Sequence, residues 1–178
     1  YDSIVFLDDN ETIEYCGTHK VVGKTKLAEN ISNDIFVAVG NTEIRKALIH
    51  KYLDRKFVTL IHPNAIIADG VEIGLGSVVM AGVVINPGTV IGKACIANTS
   101  SSIDHDCKIG DFVHVAVGAH LCGNVEVGAN TWVGAGATII NNVKICDGCI
   151  IGAGAVVTKD ILEAGIYIGV PAKKRNGD

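Results

Sequence analysis

The chain has 178 residues and a formal net charge of −4, which leaves no electrostatic case for binding nucleic acid or an anionic membrane surface. Hydrophobic residues make up 48% but aromatics only 5%, so small and branched side chains must do the packing, as a narrow stacked coil requires. The longest uncharged stretch, residues 73–92, is broken by glycines, Asn86 and Pro87 and keeps a six-residue beat, which argues for coil against a membrane span.

Residues 1–60 lack that beat and predict a small α/β domain. Ser3–Leu7 (SIVFL) reads as a strand that stops at Asp8, Asp9 and Asn10. Asp34–Val39 (DIFVAV) reads as a second, ending at Gly40-Asn41. Thr42 is the expected cap of a helix running to about Arg55, with Ile44, Ala47, Leu48 and Tyr52 as its apolar stripe. Strand alternating with helix implies a parallel sheet, whose ligands bind at the strand C-terminal ends, here Asp8, Asp9 and Gly40. The same three residues serve equally well as turn formers and helix caps. The printed residues open on a charged segment without methionine or signal peptide, so a first strand, its Gly-rich turn and its helix are expected upstream.

From Ile61 to Val157 every sixth residue is Ile, Leu or Val, with Ala97 the single exception. Neither a helix near 3.6 nor a strand near 2 repeats at six; a solenoid of short flat β-segments does. The prediction for residues 61–158 is a parallel β-helix; in known β-helices of this period three hexads make an 18-residue triangular coil, with coils ~4.8 Å apart. Residues 18 apart then stack, and residues nine apart lie on opposite sides of the prism. Cys95, Cys107 and Cys149 share a phase otherwise filled by small residues and Val, and read as buried thiols. Cys146-Asp-Gly-Cys149 lies inside the beat without a second pair and reads as structural filler; a reducing, cytoplasmic setting fits. Residues 159–178 leave the beat and end in a basic tail, Lys173, Lys174 and Arg175.

The longest polar interruption, Asn98–Asp106 (NTSSSIDHD), follows the weak beat at Ala97 and carries His105 between Asp104 and Asp106. A carboxylate beside an imidazole holds one tautomer and raises its basicity, as a general base needs. Counting 18 onward places Gly123 over His105, leaving room for a backbone N–H and a developing oxyanion. His114 is nine residues from His105, so both serve one site only if that site lies between subunits. His120 reads as an exposed turn residue.

The hexapeptide repeat resembles the left-handed β-helix acyltransferases. The segment NTSSSIDHDCKIGDFVHVAVGAHLCGNVEVG, with FLDDN, VAVGNTEIRK, LIHPNA and GVPAKK, is similar to the sugar acetyltransferases of the bacillosamine, perosamine and sialic acid pathways. That resemblance implies acetyl-CoA as donor, a UDP-4-amino-sugar as acceptor, no metal, and a homotrimer with sites at the subunit junctions. It implies His105 as base tuned by Asp106, and His114 and the Gly123 amide at the thioester. Ala135 and Ala153 would line the CoA groove, while Asp8, Asp9 and Gly40 would hold the nucleotide sugar. The family opens with a strand and a Gly-rich turn bearing a substrate-contacting histidine, which the printed residues do not include. Alternatives on the same coil are a sugar O-acetyltransferase, a zinc hydrase sharing histidines across subunits, and a purely structural solenoid.

Overall fold

A computed structural model describes residues 3–175. Between Leu60 and Val157 the chain forms seventeen two-residue strands, each paired in parallel with the strand 18 residues away. They stack into three walls, one climbing from Leu60–Ile61 to Ile150–Ile151, a second from Ile66–Ile67 to Val156–Val157, and a third from Glu72–Ile73 to Lys144–Ile145. The first residue of each pair faces out and the second faces in, which is the period-two rule of a strand cut to its minimum length. Ile85, Ile103, Leu121 and Ile139 are 0–1% exposed along the inner column of wall two.

A second periodicity makes the corners. From Gly70 to Gly154 every sixth residue has φ between +54° and +77°. Glycine and asparagine fill most of these positions because the left-handed region excludes most side chains. Ala94, Ser100, Asp106 and Phe112 occupy the rest. The buried Cys95, Cys107 and Cys149 lie on the small inward phase beside the corners, where Ser77, Thr89 and Thr131 accept their backbone N–H groups.

The coil ends differ. On the first rung Ile61 and Ile66 remain 51% and 66% exposed. At the other end Ile161 bridges to Ile145, and an antiparallel hairpin, Ile166–Ile168 with Lys173–Lys174, extends wall one. Lys173 and Lys174 of the basic tail are thus strand residues.

The N-terminal region departs from the expected strand order. Strand β1 (Phe6–Leu7) covers only the end of SIVFL, and it pairs in parallel with β3 (His19–Gly23). β3 in turn forms an antiparallel hairpin with β2 (Tyr15–Cys16) through Gly17 at φ +59°. Asp34–Val39 forms no strand: Ile35 makes one isolated parallel bridge to Phe57, and the carbonyls of Val39 and Gly40 are taken by the Arg45 guanidinium. Helix α1 runs Thr42–Lys51, and its cap is Asn41, whose side chain accepts the Ile44 N–H at 3.0 Å, not Thr42. The expected stripe fails at Ile44 and Ala47, which are exposed; α1 buries Arg45 instead, and Tyr52 just beyond its end is also buried.

Candidate functional site

His105 stands at the corner between walls two and three, directly across the prism from wall one, which carries His114. Its Nδ1 lies 2.8 Å from Oδ2 of Asp106, which turns the other ring nitrogen, Nε2, toward Gly123. With the Nδ1–H donated to the carboxylate, Nε2 carries the free lone pair. That hydrogen bond, with lesser help from the charges of Asp104 and Asp106, raises the imidazole pKa above its ordinary 6.5. Asp106 reaches the ring because its own backbone is left-handed, φ +59°.

Gly123 sits on the imidazole as the 18-residue stacking requires. A Cβ there would lie 2.5 Å from Nε2, so only glycine leaves the ring its space. The Gly123 carbonyl accepts from Asn142, and no acceptor among the described residues takes its N–H. Gly88, one rung below Asp106, is equally confined: a Cβ at 88 would strike Oδ1 of Asp106.

The two carboxylates beside His105 have different duties. Asp104 accepts from Nδ2 of Asn86 at 2.7 Å and from the His105 backbone N–H at 2.8 Å, and these bonds hold it below the usual carboxylate range. Thr89 Oγ1 donates to the Asp104 carbonyl at 2.7 Å and accepts the Cys107 N–H. Asn86 and Thr89 therefore brace the loop that presents the histidine. Sequence reading did not single them out, although Asn86 lies 18 residues before Asp104 and the stacking rule could have paired them.

On wall one His114 faces outward between Ile96 and Trp132, its Nε2 3.1 Å from Nδ2 of Asn98 and its ring tilted against the Trp132 indole at 6.3 Å. Burial, and secondarily the charge of Arg45, lowers its pKa, favouring the neutral imidazole. His120 is not a turn residue: it faces outward on wall two, where Nδ1 meets the Ser102 hydroxyl at 2.8 Å. Ala135 and Ala153 stack at the corner between walls one and two, linked by the Gly154 N–H to the Ala135 carbonyl. Neighbouring Gly136 and Gly154 have open space where a Cβ would stand. Within one chain that column is separated from His105 by the width of wall two.

In the N-terminal region Asp9 is bound to Thr25, whose N–H and hydroxyl both donate to it, and these bonds lower its pKa. Asp8 accepts the Asn10 N–H, and Gly40 is exposed with its carbonyl on Arg45. Cys146 and Cys149 are free thiols with sulfurs 3.6 Å apart; burial first, then the Cys146 contact, pushes Cys149 up to about 12. Among the described residues no group of three or more His, Cys, Asp or Glu could hold a metal ion, and no helix is long and apolar enough to cross a membrane.

Coil and corner together define the hexapeptide class of transferases. The bacterial transferase hexapeptide profile matches residues 124–159, the succinyl-transferase hexapeptide repeat matches 63–87, and the PglD N-terminal domain matches 1–52. The acetyltransferase domain of PglB from Neisseria gonorrhoeae is 40% identical, with 98% of this chain and 88% of that one covered and a TM-score of 0.93. The same domain has been solved with acetyl coenzyme A, and superposes with a TM-score of 0.94. PerB from Caulobacter crescentus, solved with CoA and GDP-perosamine, is 38% identical over 89% of this chain and 79% of that one, TM-score 0.84. The GDP-perosamine N-acetyltransferase of Escherichia coli is 39% identical over 98 residues, 54% of this chain but 44% of that protein. The chain thus matches less than half the length of that curated relative. It belongs to the hexapeptide-repeat acetyltransferase family.

Proposed function

We propose that the protein transfers the acetyl group of acetyl-CoA to the 4-amino group of a nucleotide-linked amino sugar, with a UDP-sugar as the acceptor. The observation that carries this reading is the His105 ring, backed by Asp106 and opening at Nε2 onto the Gly123 amide. In the proposed reaction the sugar nitrogen attacks the thioester carbonyl and forms the C–N bond. Nε2 of His105 takes the amine proton. The Gly123 N–H holds the tetrahedral oxygen, and the C–S bond then breaks with the proton passing to the departing thiolate. Transfer is direct: among the described residues the exposed Ser102–His120 pair has no third group hydrogen-bonded to it, and the Cys149 thiol, pushed up to about 12, stays protonated.

His105 and His114 lie across the prism from one another, so His114 reaches the thioester only from a neighbouring copy, and the assembly proposed is a trimer. Ala135 and Ala153 line the pantetheine groove, Asp8, Asp9 and Gly40 hold the nucleotide, and the reaction is placed in the cytoplasm. GDP-perosamine and UDP-N-acetylbacillosamine N-acetyltransferases among the relatives support an amine on a nucleotide sugar. The test is a panel of UDP- and GDP-linked 4-amino sugars, with sialic acid as the hydroxyl acceptor, assayed for acetyl-CoA-dependent product. Acetylated UDP-amino sugar is expected; acetylation of the hydroxyl acceptor alone would replace this reading.

A further inference from the structure

Arg45 is the one charged side chain fully buried among the described residues, at 1% exposure. No carboxylate among the described residues pairs with it. Its guanidinium donates to four carbonyls instead: Val39 at 3.0 Å and Gly40 at 2.9 Å on the N-terminal side, Ala94 and Phe112 at 2.9 Å each on the coil. The two coil acceptors are left-handed corner residues on successive rungs, φ +54° and +62°. Phenylalanine is an outlier at such a position, where glycine or asparagine costs least. Its ring is spent on α1, edge-on to His50 at 6.0 Å and beneath the Lys46 ammonium at 5.9 Å. Arg45 and Phe112 thus clasp helix and coil from both sides.

Each end of the clasp is a candidate-site element. Gly40 is the turn proposed to hold the nucleotide, and Phe112 lies two residues before His114. Strain held at a place the surroundings over-determine marks function more often than filler. We infer that Arg45 is a positioning residue that sets the Gly40 turn against the rung carrying His114, so that acceptor and acetyl donor meet in register. This rests on the acceptor site proposed above. The rung itself is held by ladder bonds to Ile96 and Trp132. Loss of Arg45 therefore moves the acceptor turn, not the donor side.

The experiment compares Arg45→Met, Arg45→Lys and Phe112→Gly, the last removing the ring contacts to His50 and Lys46 while keeping the carbonyl that accepts from Arg45. In Arg45→Met the KM for the nucleotide amino sugar rises ~10-fold and kcat falls by up to ~10²-fold, the range in which an ångström of misplacement acts, and Phe112→Gly, which keeps all four Arg45 hydrogen bonds, shows a smaller change of the same sign. The KM for acetyl-CoA stays within about twofold, and Arg45→Lys, which keeps part of the donor set, falls between. Amide hydrogen exchange of residues 38–45 accelerates, while that of residues 130–150 does not. Equal losses for both substrates, or unchanged kinetics in a folded variant, overturn the inference. If the wild-type protein acetylates no nucleotide amino sugar, the proposed function falls, and unaltered exchange at 38–45 in Arg45→Met is then the result that overturns the clasp.

Discussion

Replacing His105 with alanine lowers kcat ~10²–10⁴-fold, the usual contribution of a positioned general base. The protein itself should be indifferent to the change. The side chain is 56% exposed, its one ring partner is the neighbouring Asp106, and the corner it rides on is held by backbone bonds from Asp106 and Asn124. Exposed substitutions of this kind stay within about 0.5 kcal/mol of stability. The signature is therefore a large loss of turnover with an unchanged melting temperature and an unchanged affinity for acetyl-CoA. Matched thermal scans, acetyl-CoA titration and steady-state rates read it together. Near-normal turnover in His105→Ala would remove the base from the mechanism.

Gly123→Ala attacks the same site from above. Its backbone is not in the left-handed region, so alanine is tolerated there conformationally, and the three nearest atoms to the new Cβ all belong to the imidazole, with Nε2 at 2.5 Å and Cε1 at 2.7 Å. The ring can escape only by swinging away from Asp106, which abandons the tautomer and the alignment with the amide. The backbone N–H is kept, so the loss comes from the displaced base: kcat is expected to fall ~10²-fold or more with the coil still folded. Retained activity would mean that the imidazole need not stand where it does beneath residue 123.

Much of the coil was legible because its physics is repetitive. One inward aliphatic every six residues is all a two-residue strand can bury, so the core, the parallel register and the stacking of Gly123 over His105 follow from counting. The left-handed corner phase was equally periodic but hidden, since Asp106 and Phe112 stand where glycine would have announced it. Counting could not say which carboxylate serves the imidazole; that was decided by Asn86, which claims Asp104. The N-terminal region resisted because its decisive group is one buried arginine. Arg45 takes the Val39 and Gly40 carbonyls at the end of this segment, and an amphipathic reading of α1 looks for leucine and isoleucine on the face where the guanidinium sits.

The sharpest test is the pH dependence of kcat/KM for acetyl transfer, measured in the wild-type protein and in Asp106→Asn. Only neutral His105 accepts a proton, and Asp106 raises its pKa, so the wild-type rate should climb through a midpoint above 6.5. Asparagine removes the charge that favours imidazolium, and the acid limb should move to lower pH while the plateau rate drops. An acid limb that stays in place when Asp106 is neutralised would contradict the assignment of His105 and Asp106 as the proton-accepting pair.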